Sequence, residues 1–445
     1  MGNNGSPDIV DYAEGFANSA QVLLSQVLKH RGLKYSADTF VYPICFNMRH
    51  SIELYVKAAI DALEALVHHE YRLPRVDTDT SHDIGRLWRY FKENSVAIDR
   101  RYKPLVESLD RDINDFAEVD ATGQVFRYPF GRENQKHLTE LAIINLGVMW
   151  RKFPKLIENL KTLSNQGRAL GREYRYKTFT AHLSRFDLIC IAYRLPPRDA
   201  WTTAAFDEAK AEVRKRFGIS SNEFSRAVKV IEENMEMAAL IDAPRPLSHV
   251  TTQQLFAFFD AWCRLNDLDA LRRRCSDAPR EETALPEAEV DGDDSDLIAG
   301  IHADALARQE TWPQLMAEVT PEAFGEIDAL LRFARDNLRY SEEFARERDL
   351  TIRDFLADGA SGEAELRQSA FHILEKTSAM EHVLDTLRFF GHIETVRLIT
   401  RRYGLVECSS RLLENSSRWL SARYGHVSDA MGAVSRHPAN ELFAL

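Results

Sequence analysis

The sequence predicts an all-α protein made of several helical bundles. Almost every segment repeats its apolar residues with a period near 3.6, the period of a helix with one buried face. Glycine and proline fall between these segments rather than inside them. No run alternates apolar and polar residues over the length of a strand. These three observations favour helices throughout and give no segment a reason to form a sheet.

Residues 8–165 are predicted to form a first helical domain. We expect its helices near residues 9–30, 43–66, 83–94, 102–116 and 137–163. Pro43 suits the first turn of the second helix, where its missing N–H has no intrahelical partner to lose. We expect an antiparallel unit in which the second and the last helix meet around a group of ionisable side chains.

Residues 170–274 are predicted to form a small second domain. Ser220 with Glu223, and Thr251 with Gln254, have the spacing of capping boxes and predict helices over 221–240 and 252–265. Short helices of this kind suit a plain bundle or a winged-helix-like module, and the bundle is favoured.

Residues 275–297 are acidic, contain proline and are poor in large apolar residues, which predicts a linker. Beyond it, residues 298–445 are predicted to form a C-terminal helical domain. Thr320 and Pro321 supply an N-cap and a first-turn proline for one of its helices. A single long helix is expected from about Gly362 to Phe390.

Composition restricts the class of protein. The 445 residues are 44% hydrophobic and 28% charged, as in an ordinary globular protein. A net charge of -11 argues against a protein that coats nucleic acid with its whole surface. No apolar run approaches the roughly 20 residues of a membrane span. The N-terminus lacks a basic region followed by an apolar segment, so a cytoplasmic protein with no membrane partner is expected.

The second helix carries an unusual charged flank. Arg49, Glu53 and Lys57 are successive i, i+4 neighbours beside an apolar stripe. One interpretation is an architectural network of ion pairs. The other is a polar cleft, to which His50 adds a side chain from the same helix and His82 and Arg127 add side chains from elsewhere.

The five cysteines are scattered without metal-binding spacing and are expected to be reduced thiols.

Three short motifs in residues 10–165 resemble HEPN domains, which are bundles of four to five helices. The motifs are Arg-His-x-x-Glu-Leu-x-x-Lys from Arg49, His-Asp-Ile from His82, and Phe-Arg-Tyr-Pro from Phe126. The resemblance implies a homodimer. It also implies one of two roles: a metal-independent ribonuclease of prokaryotic defence or toxin systems, or a non-catalytic partner that binds a nucleotide, a nucleic acid or a protein.

Catalytic members of that family carry Arg-x(4–6)-His near the start of the last helix. Four pairs here have that spacing, as many as chance predicts: Arg75 with His82, Arg132 with His137, Arg175 with His182, and Arg367 with His372. Only Arg132 and His137 stand where the family places the pair. The resemblance therefore makes Arg132 the phosphate-binding residue and His137 the acid or base. Glu133 departs from the family, which usually has Asn, Asp or His there.

The resemblance thus implies a defence or stress effector that cleaves RNA, in which Arg49, His50, Glu53, Lys57, His82 and Arg127 would shape or line the cleft. A non-catalytic binding protein is almost equally favoured, and a transcription regulator that uses residues 170–274 is a third hypothesis. A protein partner or trigger would act through the C-terminal helices. No phosphate-loop, dinucleotide-binding, zinc-protease or hydrolase motif occurs, so no cofactor or metal is expected.

Overall fold

The computed structural model describes residues 5–29, 35–66, 73–78, 80–130, 143–276 and 294–405. Within these ranges the regular elements are 17 α-helices and two short 3₁₀ turns, without a strand. The predicted all-α class is confirmed. The chain divides into two compact units, Met1–Ser184 and Arg185–Leu445.

Within its described residues, the first unit contains five helices. They are α1 (Ile9–Lys29), α2 (Ala37–Glu64), α3 (Ile84–Ile98), α4 (Lys103–Asp120) and α5 (Leu146–Tyr174). Helix α2 packs against α1, α3 and α5. Its apolar side chains share one core with those of the other four helices.

Helices α2 and α5 run in the same direction, which corrects the expected antiparallel arrangement. Cys45, near the start of α2, lines a small cavity together with Met149, near the start of α5. Towards their other ends, Gly167 packs against Ala62 so closely that a Cβ on the glycine would lie 2.9 Å from the alanine Cβ. The expected meeting of the second and last helix is therefore present, but it is an apolar contact of small residues.

Helix α2 begins six residues before Pro43, so the prediction of a first-turn proline was wrong. The Ser36 hydroxyl accepts a hydrogen bond from the Asp38 N–H at 3.3 Å and caps the helix there. Pro43 lies inside the helix. The last helix also differs from the prediction, since Asn145 caps a start at Leu146 and the helix continues to Tyr174.

The part of the second unit that the structure describes contains twelve helices. They are α6 (Arg185–Ala192), α7 (Ala204–Phe217), α8 (Ser221–Glu233), α9 (Met235–Leu240), α10 (Thr252–Leu265), α11 (Leu268–Ser276), α12 (Asp294–Glu318), α13 (Pro321–Arg335), α14 (Ser341–Ser361), α15 (Glu363–Leu374), α16 (Ala379–Phe389) and α17 (Ile393–Tyr403). Residues 170–274 contain no strand, so the wing of a winged-helix module is absent from them. Helix α10 shares one core with α12–α17. Helices before and after residues 277–293 thus form one hydrophobic core.

Local signals set some helix ends correctly and missed others. The Thr251–Gln254 capping box opens α10, and Thr320 caps α13 ahead of Pro321, both as predicted. The predicted helix over 221–240 is broken at Asn234, whose side chain accepts from the Met237 N–H at 3.0 Å and starts α9.

The predicted helix over 362–390 is also broken, between Leu374 and Ala379. Trp262 of α10 and Asn266, the residue after α10, stabilise the end of α15. Asn266 Nδ2 donates to the Leu374 carbonyl at 2.8 Å, and Trp262 Nε1 donates to the Lys376 carbonyl at 2.9 Å. The last carbonyls of a helix need such partners, and here they come from tertiary contacts.

Helices α13 and α14 pack closely at Gly325, because this residue has no side chain. A Cβ placed on Gly325 would lie 2.5 Å from the Ile352 Cα and 2.7 Å from the Ile352 N. Next to it, Thr351 Oγ1 donates to the Gly325 carbonyl at 2.7 Å. The missing side chain lets the two backbones touch.

Candidate functional site

Arg49 is the centre of the ionisable group on α2. Its guanidinium donates from Nη1 to Glu53 Oε2 and from Nη2 to the His82 carbonyl. Further bonds run from Nε to the Asp120 carbonyl at 3.1 Å and from Nη2 to the Ala121 carbonyl at 2.7 Å. Only 2% of the Arg49 side chain is exposed. Arg49 therefore fastens α2 to the entry of α3 and to the end of α4.

Basic side chains surround the Glu53 carboxylate. Its Oε1 accepts from Lys57 Nζ at 3.0 Å and from His82 Nδ1 at 2.8 Å, while His50 Nδ1 lies 3.6 Å from Oε2. Burial would raise the pKa of Glu53, but the hydrogen bonds from His50, His82 and Lys57 and the charge of Arg49 outweigh it and hold that pKa well below its usual value. Since an ionised carboxylate only accepts, His82 Nδ1 carries the proton of this bond.

The turn after α4 completes the buried group, and sequence reasoning missed it. Gly123 adopts φ +76°, and a Cβ there would lie 3.0 Å from Arg49 Nη1. The buried Asp120 side chain holds this turn by accepting from the N–H groups of Gln124 at 2.9 Å and Val125 at 3.3 Å. The only sequence signal was the Gly123 itself, four residues before Arg127.

An aromatic layer lies on the solvent side of this group. The His50 ring stacks on Phe46 at 5.6 Å between centroids and meets the Phe16 ring edge-on at 4.4 Å. The exposed Arg127 lies with its Cζ 5.2 Å from the Phe46 ring centroid and 5.9 Å from that of Tyr128. We call Phe46, His50, His82, Arg127 and Tyr128 the aromatic–basic face.

The six cleft residues predicted from sequence are thus brought together in two layers. Arg49, Glu53 and Lys57 are buried and pair with one another and with backbone carbonyls. His50, His82 and Arg127 reach solvent, and 58% of the His82 side chain is exposed. Helix α5 supplies none of the hydrogen-bond or ion-pair partners of Arg49 and Glu53 among the described residues. The predicted pair Arg132 and His137 lies outside the described residues.

The buried layer has little capacity for chemistry. Each hydrogen-bonding atom of the Arg49 head meets an acceptor, and Glu53 is held ionised by its neighbours, so neither group is free to exchange a proton near neutral pH. The aromatic–basic face, by contrast, presents an arginine and two imidazoles beside aromatic rings. Those groups can stack on planar rings and attract phosphate.

Among the described residues, no three histidine, cysteine, aspartate or glutamate side chains lie close enough together to hold a metal ion. None of the helices there has both the length and the apolar character that crossing a bilayer requires.

The chain matches no model of a known protein family, none of the curated proteins and none of the solved structures.

The stability of the first unit is expected to depend on pH through Glu53. In the unfolded chain this carboxyl titrates near its usual pKa of about 4.3, whereas the folded pKa lies well below it. The stabilisation is therefore complete above about pH 5 and is lost as the pH falls below about 4. Urea unfolding of wild type and Glu53→Gln should show a large difference at pH 7 that narrows towards pH 3.5.

Glu158→Gln is the matched control for this pH series. Glu158 pairs with Lys155 at 3.0 Å, but both side chains are 68% exposed. Its effect on unfolding should be small at every pH. A difference between wild type and Glu53→Gln that stays constant from pH 7 to pH 3.5 contradicts the assigned role of Glu53.

Proposed function

We propose that the chain acts on RNA through its first unit, as a HEPN-like defence or stress effector, and that RNA binds at the aromatic–basic face. The observation that carries this proposal is the stack of Arg127, Phe46 and His50 at the surface. Single-stranded RNA is bound by stacking its bases on aromatic or guanidinium planes while cations meet the backbone.

Charge and exposure support the same face. Arg127 has no carboxylate partner among the described residues, and Tyr128 beside it is 50% exposed. His82 is held in place by Glu53, yet most of its ring reaches solvent. A local group of this kind attracts a phosphate backbone even though the whole chain carries a charge of -11.

Cleavage of the bound RNA would fall to Arg132 and His137. Arg132 follows two residues after Phe130, at the end of the segment that carries Arg127 and Tyr128. In this proposal the Arg132 guanidinium stabilises the charge that develops on the scissile phosphate. His137 takes the proton from the attacking 2′-hydroxyl or supplies one to the leaving oxygen, without a metal ion.

A non-catalytic HEPN-like binding protein is the second candidate. The ion pairs of Glu53 with Arg49 and Lys57 support it. A buried cluster whose charges pair with one another has a structural role and leaves no group free for catalysis. This candidate keeps the aromatic–basic face as the binding site and removes the role of Arg132 and His137. In either case a homodimer is proposed, which light scattering on the purified protein would test.

Cleavage distinguishes the two candidates. The purified full-length protein is incubated with total RNA in EDTA, together with the variants His137→Ala and His50→Ala. Cleavage that disappears only in His137→Ala supports the ribonuclease. Cleavage that disappears only in His50→Ala moves the reacting group to α2. An intact RNA pool with wild type leaves the binding protein as the better proposal.

Binding is measured separately with Arg127→Ala and a fluorescein-labelled single-stranded RNA in an anisotropy titration. Losing a stacked guanidinium is expected to weaken binding by about tenfold or more. The matched control is Arg168→Ala, which removes another exposed arginine of the first unit, one that pairs with Asp8 at 2.6 Å. If both variants bind RNA as wild type does, the aromatic–basic face is not the RNA site.

A further inference from the structure

A large cavity in the second unit is independent of the RNA proposal. It encloses about 700 Å³ and is lined by residues of α12, α13, α14 and α15. Sites for small molecules commonly have volumes of about 300–1,000 Å³. Eight of the fifteen residues that line it have ionisable side chains.

Three arginines from three different helices converge on this cavity: Arg308 of α12, Arg332 of α13 and Arg367 of α15. Two of them are held by carboxylates. Arg308 Nη2 lies 2.6 Å from Glu375 Oε1, and Arg332 bonds to Asp328 at 2.7 Å and to Glu347 at 3.1 Å. Fixed guanidiniums of this kind are the groups that proteins use to recognise phosphate.

The third arginine has no carboxylate partner among the described residues. The Arg367 guanidinium lies 5.5 Å from the centroid of the Phe371 ring, and that ring also carries Arg308 at 5.9 Å. His372, on the same helix, lines the cavity and is exposed. One unpaired cation and one imidazole therefore face the same space.

The wall formed by α13 also has unused hydrogen-bonding atoms. Asp328 Oδ1 and Arg332 Nε are buried and have no hydrogen-bond partner among the described residues. Only 2% of the Asp328 side chain is exposed. Buried polar atoms in folded proteins nearly always have a partner. Both residues line the cavity, but atoms as buried as these do not touch a molecule seated in it, so no contact with the ligand is assigned to them.

Acidic side chains of α14 restrict the kind of ligand. Asp354 and Asp358 line the cavity, and Ser369 Oγ donates to Asp358 at 2.6 Å. Carboxylates repel a bare anion but accept hydrogen bonds from hydroxyl and amino groups. A fitting ligand therefore has a negative group for the arginines and several hydrogen-bond donors for the aspartates.

We propose that this cavity binds a phosphate monoester that also carries hydroxyl or amino donors, with Arg367 as its main phosphate contact. Sugar phosphates and nucleoside monophosphates share that chemistry. Both are small enough for the cavity, and both present a phosphate at one end and donors at the other.

The test is isothermal titration of the full-length protein with ribose 5-phosphate, AMP, ribose, adenosine and inorganic phosphate. We expect saturable binding of at least one ester, at least tenfold tighter than that of its phosphate-free counterpart. AMP alone identifies a nucleotide site, whereas binding of both esters identifies a sugar-phosphate site. Inorganic phosphate that binds as tightly as the esters overturns the proposal, as does the absence of saturable binding by either ester at millimolar concentration.

Variants assign the binding to this cavity. Arg367→Met keeps the aliphatic stem over Phe371 and should raise Kd by about tenfold to a hundredfold, as expected for loss of a charge-assisted hydrogen bond. His372→Gln, at an exposed position, provides a second variant if Arg367→Met does not fold. Arg397→Met is the matched control, because Arg397 is a half-exposed arginine of α17 that pairs with Glu394.

Arg127→Ala separates this proposal from RNA binding. Ester binding that is unchanged in Arg127→Ala and weakened in Arg367→Met supports the cavity. The reverse pattern places the ester on the aromatic–basic face and overturns the cavity proposal.

Discussion

Replacing Arg49 with methionine is expected to lower the free energy of unfolding of the first unit by about 3–5 kcal/mol. The change leaves Glu53 buried without its nearest counter-charge. It also leaves the carbonyls of Asp120 and His82 without the donors that Arg49 supplies. Methionine fills much of the same space, so the loss measures the charge and hydrogen bonds rather than a cavity.

Urea unfolding followed by circular dichroism measures this loss, and Arg168→Met is the matched control. Arg168 also pairs with a carboxylate, that of Asp8 at 2.6 Å, but its side chain is 53% exposed and the pair is screened by water. Its removal should cost less than about 1 kcal/mol. Equal costs for the two arginines would mean that the Arg49 group is no more than a surface ion pair.

Substituting alanine for Gly325 is expected to destabilise the second unit by a net amount of about 2 kcal/mol. The added Cβ would lie 2.5 Å from the backbone of Ile352, so α13 and α14 have to separate. Forced overpacking costs about 1–3 kcal/mol and is greatest against backbone, while alanine returns about 1 kcal/mol through its better helix propensity. Thermal unfolding monitored by calorimetry should show the loss in the transition of the second unit.

Gly359→Ala provides the opposite result in the same unit. Gly359 lies on α14, where a Cβ would have its nearest neighbours at 3.7 and 3.8 Å, an ordinary contact distance. Only the gain in helix propensity then remains, so the variant should be neutral or slightly more stable. A Gly325→Ala protein that is as stable as Gly359→Ala would show that the two helices do not touch where they are placed.

Helix starts with a local chemical cause were predictable from the sequence. Thr251 and Thr320 predicted the starts of α10 and α13, because an N-cap side chain and the backbone N–H group that it bonds lie within one helical turn. Pro43 misled the prediction for α2, although Ser36 offered a cap seven residues earlier. The break after Leu374 was not predictable locally, since Trp262 of α10 and the C-cap of α10, Asn266, stabilise it.

The candidate site was likewise predictable only where the spacing of nearby residues indicated it. The spacing of Arg49, Glu53 and Lys57 favoured ion pairs between them as one interpretation, and the other interpretation was a cleft that His82 and Arg127 join. The carbonyls of Asp120 and Ala121 gave no sequence signal, because any residue has a carbonyl and only the fold selects which one Arg49 meets. The arginines of the second cavity come from three helices and could not be grouped before the packing was known.

The position of α5 has a consequence for how the protein is made. Arg168 of α5 bonds to Asp8 across a sequence separation of 160 residues, and α5 covers part of α2. Nearly the whole first unit therefore has to be synthesised before α5 can pack against α2. Until then the part of the apolar surface of α2 that α5 covers stays exposed to water. Chaperones bind exposed apolar surface of this kind, and chains that carry it aggregate when chaperones are scarce.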